Sequence, residues 1–347
     1  MDQAMRPYRS VLYIPGSKER ALDKARGLPV DAIIFDLEDA VAADEKATAR
    51  TLLTDTLKAG GYGNRAKIVR INGLDTGWGA DDARAIAAIG ADAVLLPKVG
   101  NAVMLKALTD LLPKAMPVWA MIETPRGIIN AMEIAAHPRI EAFVMGTNDL
   151  AKDLNCRFRP DRMPLMTSLQ TALLAARAHG VVCIDGVFNA FRDDDGLRAE
   201  CEQGRDLGFD GKTLIHPAQI AVANEVFAPT GEEVDLARRQ IEAFEAAEAE
   251  GHLPHPLRWR AIRPGKTADG GVRGGRGRGA GRRRRGRPDR RELACRHGAG
   301  HAGQGGGDCS IGDGAMIWLL LEAARWWLAD RFTRMSPAWC GVMGLAG

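Results

Sequence analysis

The chain has 347 residues with 47 Lys and Arg against 44 Asp and Glu, a length that admits two domains, or one of about 250 residues with a remainder. The near balance of charge hides unlike parts: residues 1–250 carry 29 basic and 37 acidic side chains, residues 251–300 carry 15 and 3. The first ten residues have no apolar h-region, no apolar run is long enough for a bilayer span, and the six cysteines form no CxxC or pairing pattern. Together these features exclude a secretory signal and a membrane anchor and predict a reduced, cytoplasmic protein.

Eight short apolar runs follow in order, at 11–16, 32–41, 67–73, 93–99, 117–124, 142–150, 181–186 and 211–216. Between them lie stretches with helical spacing, such as 17–27, 44–58, 101–112 and 166–179. Ser17 and Gly27 read as the N-cap and the glycine stop of the first helix. Eight strands alternating with helices predict an α/β fold, the (β/α)8 TIM barrel, whose active sites lie where the strands end. A last helix at 232–250 has apolar positions at Val234, Ala237, Ile241, Phe244 and Ala247 and stops at Gly251. Beyond it the periodicity ends, and 264–291 alternates Gly and Arg irregularly with four arginines at 282–285. No core forms from such a stretch. The predicted organisation is a barrel domain at 1–251 and an atypical, disordered Arg/Gly-rich tail at 252–347 with one short apolar helix at 315–329.

The predicted strand ends carry Ser17, Asp36, Glu38, Asp39, Arg70, Asn72, Lys98, Glu123, Arg126, Asn148, Asp149, Asp185 and His216. Glu123 and Asp149 end the fifth and sixth runs, and neighbouring strands are about 5 Å apart, so both carboxylates can share one cation. Oxygen ligands without His or Cys select Mg2+ or Mn2+ over Zn2+. The plainer alternative is that each acid caps the helix that follows. Arg70 ends the third run, where a permanent cation binds a carboxylate or steadies an enolate. It can equally form a salt bridge to Asp36 or Asp39, and the two roles are compatible; Glu38 and Asp39 reaching the metal through water is a lesser alternative. Gly211-Lys212-Thr213 imitates a phosphate-binding loop, but Asp206 stands where that motif needs glycine. His216, before Pro217, is as readily a structural hydrogen-bonding group as a general base.

The strings RSVLYIPGS, IIFDLEDAV, KIVRIN, LLPKV, MIETPRGI, VMGTNDLAKDL and GKTLIHPAQI together resemble the HpcH/HpaI aldolase and citrate lyase β-subunit superfamily, in its CitE-like branch of CoA-ester lyases. The likeness runs from about residue 9 to 251. It implies a Mg2+-dependent carbon–carbon lyase acting beside a CoA thioester such as citryl-CoA, malyl-CoA or citramalyl-CoA, with a malyl-CoA thioesterase or malate-synthase-like activity as the variant from the same site. It further implies Glu123 and Asp149 as metal ligands, and Arg70 with Glu123 as substrate contacts. Lys18 and Arg20 become contacts for CoA phosphates, and Asp36, Glu38, Asp39 and Lys98 support these groups from behind. A homo-oligomer, trimer or hexamer, is implied too, because an aspartate in the family's closing VxDGxMVD-like segment reaches a neighbouring subunit's site. Here that place is taken by HLPHPLRWRAIRPGKTADGG, and five of the seven tryptophans fall after residue 251. That composition is what a G+C-rich reading frame gives when translated out of register after about Gly251. A different class of function rests on residues 258–291, whose basic charge would bind nucleic acid through phosphates, non-specifically for want of interleaved aromatics.

Overall fold

A computed structural model describes residues 6–249, with side chains through Glu242. In chain order the elements are β1 (Ser10–Pro15), α1 (Glu19–Ala25), β2 (Ala32–Asp36), α2 (Lys46–Ala59), β3 (Ala66–Arg70), α3 (Gly79–Ala87), β4 (Ala93–Leu96) and α4 (Ala102–Thr109). They continue with β5 (Val118–Ile122), α5 (Pro125–Ile129), α6 (Ala131–Ala135), β6 (Ile140–Met145), α7 (Thr147–Asp153), α8 (Met166–His179), β7 (Val182–Asp185), α9 (Asp194–Leu207), β8 (Gly211–Leu214), α10 (Ile220–Val226) and α11 (Gly231–Ala249). The eight strands close into a parallel barrel in sequence order, β8 pairing back onto β1. This is the predicted (β/α)8 barrel.

Barrel strands are covered on both faces, inside by other strands and outside by helices, which is why runs such as AIIFD, AVLL and VWAMI are buried at every position. Alternation then sorts each strand into two sets. Val11, Ile34, Ile68, Leu95, Trp119 and Val144 pack with one another in the lumen, and Leu12, Ile33, Phe35, Val69 and Leu96 pack outward with the helices. Tyr8, just before β1, meets Trp119 edge-on at 5.2 Å between ring centres and plugs the lower lumen. The helices bury single stripes: Ala49, Leu53 and Leu57 of α2 lie four residues apart. Helix α8 occupies its predicted bounds and ends at Gly180 in the left-handed region, φ 68°.

The differences from the sequence reading fall at element ends. Strands stop one to five residues before the apolar runs do, because the polar residues at the run ends already belong to loops or helix starts. Asp149 is such a residue: β6 ends at Met145, and Asp149 sits in the first turn of α7. Ser17 is not the N-cap of α1; Lys18 holds that position without a side-chain cap, and the Ser17 hydroxyl is buried without a partner. Asp185 ends β7 as predicted, but its side chain turns away from the mouth. It is fully buried outside the lumen, where Arg162 Nη1 donates at 2.7 Å to both of its oxygens and Lys212 Nζ at 3.0 Å to one. Lys212 also donates to Glu200 Oε1 at 2.7 Å, so the Gly-Lys-Thr lysine is a strut between β7, β8 and α9. No helix among the described residues is long and apolar enough to cross a membrane. The tail at 252–347, its helix at 315–329, its basic stretch and the shifted-frame reading lie outside the described residues.

The Asp185–Lys212–Arg162 cluster is a buried set of charges whose members depend on one another. Asp185→Asn should cost about 3–5 kcal/mol of stability, because it leaves two cations buried against one carboxylate. Urea denaturation measures it; a loss under about 1 kcal/mol would show that the cluster is not needed for the fold.

Candidate active site

The barrel mouth holds a cavity of about 400 Å³. Tyr13, Asp36, Asp39, Arg70, Met121, Glu123, Gly146, Asn148 and Asp149 are among the residues that line it. The register explains the gathering: Asp36, the last residue of β2, stands opposite Arg70, the last of β3, and Glu123 and Gly146 follow directly on β5 and β6.

Arg70 is 8% exposed and clasped by acids. Its Nε donates to Asp36 Oδ1 at 2.7 Å and its Nη2 to Asp36 Oδ2 at 2.5 Å, a bidentate fork. Its Nη1 donates to Asp39 Oδ2 at 3.3 Å and lies 2.9 Å from Glu38 Oε2, an ion pair out of line for a hydrogen bond. The salt bridge predicted to Asp36 or Asp39 therefore forms to both, with Glu38 as a third partner. Asp36 is itself fixed by the backbone N–H groups of Glu38 and Ala40. Burial lowers the tendency of Arg70 to hold its proton, but Asp36 and its neighbours outweigh that and keep the guanidinium charged. Burial pushes Glu38 above the usual carboxylate range against the pull of Arg70 and Lys98.

Lys98 grips two acids at once. Its backbone N–H donates to Glu123 Oε1 at 2.8 Å, and its Nζ donates to Glu38 Oε1 at 3.2 Å. The backbone of Lys98 lies at φ 51°, a left-handed conformation that costs free energy in a residue with a side chain. That turn aims its N–H at Glu123. Opposite, Gly146 leaves the other side of Glu123 open: a Cβ at Gly146 would stand 2.3 Å from Glu123 Cβ and 2.5 Å from Oε2.

Glu123 is 3% exposed, yet no cation pairs with it among the described residues. Among the described residues its hydrogen-bond partner is the Lys98 N–H. Burial raises its pKa to about 8, with Glu38 and Asp149 adding to the rise and the Lys98 N–H and Arg70 opposing it. Asp149 lines the same cavity, and its side chain does not cap α7; the helix-capping alternative fails for this residue. Among the described residues no group of three or more His, Cys, Asp or Glu side chains is placed to hold a metal by itself. Two hard carboxylates without a cation suit an ion that keeps several coordination sites for water and ligand, as Mg2+ does.

Lys18, the N-cap of α1, and Arg20, in its first turn, stand exposed just after β1, at the mouth end but outside the cavity lining. Asn72 is buried and spends its amide on Asp82 and the Leu37 carbonyl. His216 caps a short 3-10 turn by accepting from the Ala218 N–H and stacks on Phe191 at 4.7 Å, the structural role. The sequence reading missed Tyr13 and Gly146. Tyr13 was legible as an inward position of β1 by alternation, whereas the need for glycine at 146 arises only from the side chain across the strand pair.

The HpcH/HpaI aldolase/citrate lyase family model matches residues 9–217. A (3S)-malyl-CoA thioesterase of Cereibacter sphaeroides (strain ATCC 17025 / ATH 2.4.3) is 63% identical over 251 residues, covering 72% of this chain and 88% of that protein. The citrate lyase subunit beta of Escherichia coli (strain K12) is 38% identical over 257 residues, covering 71% of this chain and 85% of its own. Among solved structures, the protein CitE from Mycobacterium tuberculosis in complex with magnesium, acetoacetate and coenzyme A is similar with a TM-score of 0.59 and 32% identity, over 70% of this chain and 88% of that one.

The raised pKa of Glu123 has a consequence for stability. With a folded pKa of about 8 above an unfolded value of roughly 4.3, the folded protein binds more protons between those two pH values. Its contribution is therefore full below the lower value and is lost as pH rises through the upper one. In the presence of a chelator, melting temperature should fall between about pH 5 and pH 8, and Glu123→Gln should flatten that fall. Parallel profiles for the two proteins would show that Glu123 titrates normally.

Proposed function

Starting from a chain that belongs to the HpcH/HpaI aldolase/citrate lyase family, we propose that it is a Mg2+-dependent enzyme that hydrolyses the CoA thioester of a short 3-hydroxy dicarboxylic acid, of the (3S)-malyl-CoA kind. The observation that carries this is one cavity in which two carboxylates without a cation, Glu123 and Asp149, share the space with Arg70. Thioester hydrolysis takes precedence over the carbon–carbon cleavage expected from the motifs because of the 63% identity to a (3S)-malyl-CoA thioesterase. Cleavage remains the second reading, favoured by the citrate lyase β-subunits among the relatives.

Glu123 and Asp149 would hold Mg2+, or Mn2+ in its place, which when bound supplies a Lewis acid for the hydroxy acid end of the substrate. The solved CitE complexes with magnesium support that choice of ion. The chain's own residues do the rest. Lys98 and Gly146 set the Glu123 carboxylate, the first by a hydrogen bond and the second by leaving room. Asp36 orients the Arg70 fork and keeps it charged, and Arg70 faces the thioester oxygen on which negative charge develops, whether water attacks the carbonyl carbon or the neighbouring carbon–carbon bond breaks. Both reactions place charge on the same oxygen, so one site serves either. Lys18 and Arg20, exposed cations on the rim, would meet CoA phosphates. A trimer or hexamer would bring a neighbour's acid to the mouth in this family; residues 252–347, where that acid is expected, lie outside the described residues.

Incubation of the full chain with (3S)-malyl-CoA and Mg2+ separates the readings by product. Hydrolysis releases free CoA and malate, and carbon–carbon cleavage releases acetyl-CoA and glyoxylate. Free CoA as the main product is the expected result. Arg70→Lys should lower turnover on the order of 100-fold, since an ammonium cannot reproduce the fork held by Asp36. Near wild-type turnover by Arg70→Lys would make Arg70 a structural ion pair.

A further inference from the structure

Tyr13 enters the cavity from β1 with its ring against Arg70, whose guanidinium carbon lies 5.1 Å from the ring centre. It packs with the inner, luminal set of side chains. Its hydroxyl has no hydrogen-bond partner among the described residues, and it is not among the polar atoms sealed from solvent. The exposure that Tyr13 retains is toward the cavity it lines. A half-buried phenol normally finds a partner for its O–H. Phenylalanine would fill the same luminal space and stack on Arg70 as well, so the hydroxyl has a use only toward something that enters the cavity.

The accounting of Arg70 says what that use is. A guanidinium carries five N–H donors. The Nε donor and one on Nη2 go to Asp36, and the two on Nη1 face Asp39, Glu38 and Met121 Sδ. One N–H of Nη2 is left for a ligand among the described residues. A developing oxyanion is ordinarily met by two donors, and Arg70 alone supplies one.

We propose that the Tyr13 hydroxyl is the second oxyanion donor, sharing the thioester oxygen with the remaining Nη2 N–H of Arg70. This rests on the thioester-hydrolysis reading above. A water oxygen bonds to the thioester carbon while the carbonyl π pair moves onto oxygen, between these two donors. The pair then returns as the C–S bond breaks, the sulfur takes one proton of the attacking water, and the products are a carboxylic acid and free CoA thiol. Tyr13 keeps its own proton throughout. Its environment agrees: burial holds the phenol well above its ordinary value despite Arg70 beside it, with Asp36, Glu123 and Glu38 adding to the rise, so the hydroxyl is a donor at neutral pH.

The test is Tyr13→Phe in the full chain, with two readouts. With (3S)-malyl-CoA and Mg2+, kcat should fall about 10- to 100-fold, KM should rise no more than about 10-fold, and melting temperature should stay near wild type. With non-reacting probes, calorimetry should show wild type binding acetyl-CoA about 3- to 10-fold more tightly than its thioether analogue ethyl-CoA, which lacks the carbonyl oxygen. Tyr13→Phe should bring the two within about twofold. A wild-type kcat in Tyr13→Phe, or an unchanged preference between the probes, overturns the proposal and leaves the hydrolysis reading intact. If wild type binds neither probe and turns over no malyl-CoA, the hydrolysis reading fails and takes the proposal with it. If wild type binds the probes without turnover, only the hydrolytic step fails, and the probe preference alone decides the Tyr13 contact.

Discussion

Among the described residues few cations stand beside the buried carboxylates of this cavity, and that scarcity governs the site. Arg70 and Lys98 are there, and Asp36, Glu38 and Asp39 claim them. Glu123 is left buried with a single backbone N–H, and its pKa rises to about 8 as a result. A buried carboxylate in that state costs free energy that a bound cation would recover. The same pairs that use up the protein's cations also orient them: Asp36 holds the plane of Arg70 by two hydrogen bonds, so the guanidinium is set before any ligand arrives.

The fold makes this arrangement by register and steric room. Closing eight parallel strands brings Asp36 level with Arg70, and alternation turns Tyr13 inward beside them. The left-handed turn at Lys98 is local strain held by a rigid scaffold, since the strands on both sides are buried throughout. Gly146 supplies the complementary absence of a side chain. The charged cluster of Asp185, Lys212 and Arg162 lies on the outer side of the strands and joins β7 and β8 to α9; it supports the wall and takes no part in the mouth.

Much of this was legible in the sequence. The eight apolar runs and their spacing gave the barrel, and the acids and arginine at the run ends gave Arg70, Glu123 and Asp149 as lining residues of one cavity. What escaped was whatever depends on the exact direction of a side chain. Asp185 ends a strand as Glu123 nearly does, but one residue of parity sends it outward to Lys212. Asp149 reads as a strand end because the apolar run continues past the point where the backbone begins to coil into α7. Ser17 resembles an N-cap, but the chain leaves β1 through an extra residue before helical geometry sets in. Tyr13 was overlooked because an aromatic within a strand is ordinarily core, and its hydroxyl is informative only once its lack of a partner is known. Residues 252–347, where the family's closing acid is expected, are legible only as composition.

A site with two carboxylates, an oriented guanidinium and little else suits a substrate that brings its own oxygen ligands. In the proposed reaction the hydroxy acid end would meet a cation held by Glu123 and Asp149 while the thioester oxygen would meet Arg70, so that binding and chemistry would occupy opposite sides of one cavity. This division accounts for relatives that break either a carbon–sulfur or a carbon–carbon bond. The central claim, that Glu123 and Asp149 together form the cation site, is tested most directly by electron paramagnetic resonance titration with Mn2+. Wild type should bind one ion per chain, and both Glu123→Gln and Asp149→Asn should lose it while remaining folded. One tightly bound Mn2+ in both variants would contradict the claim.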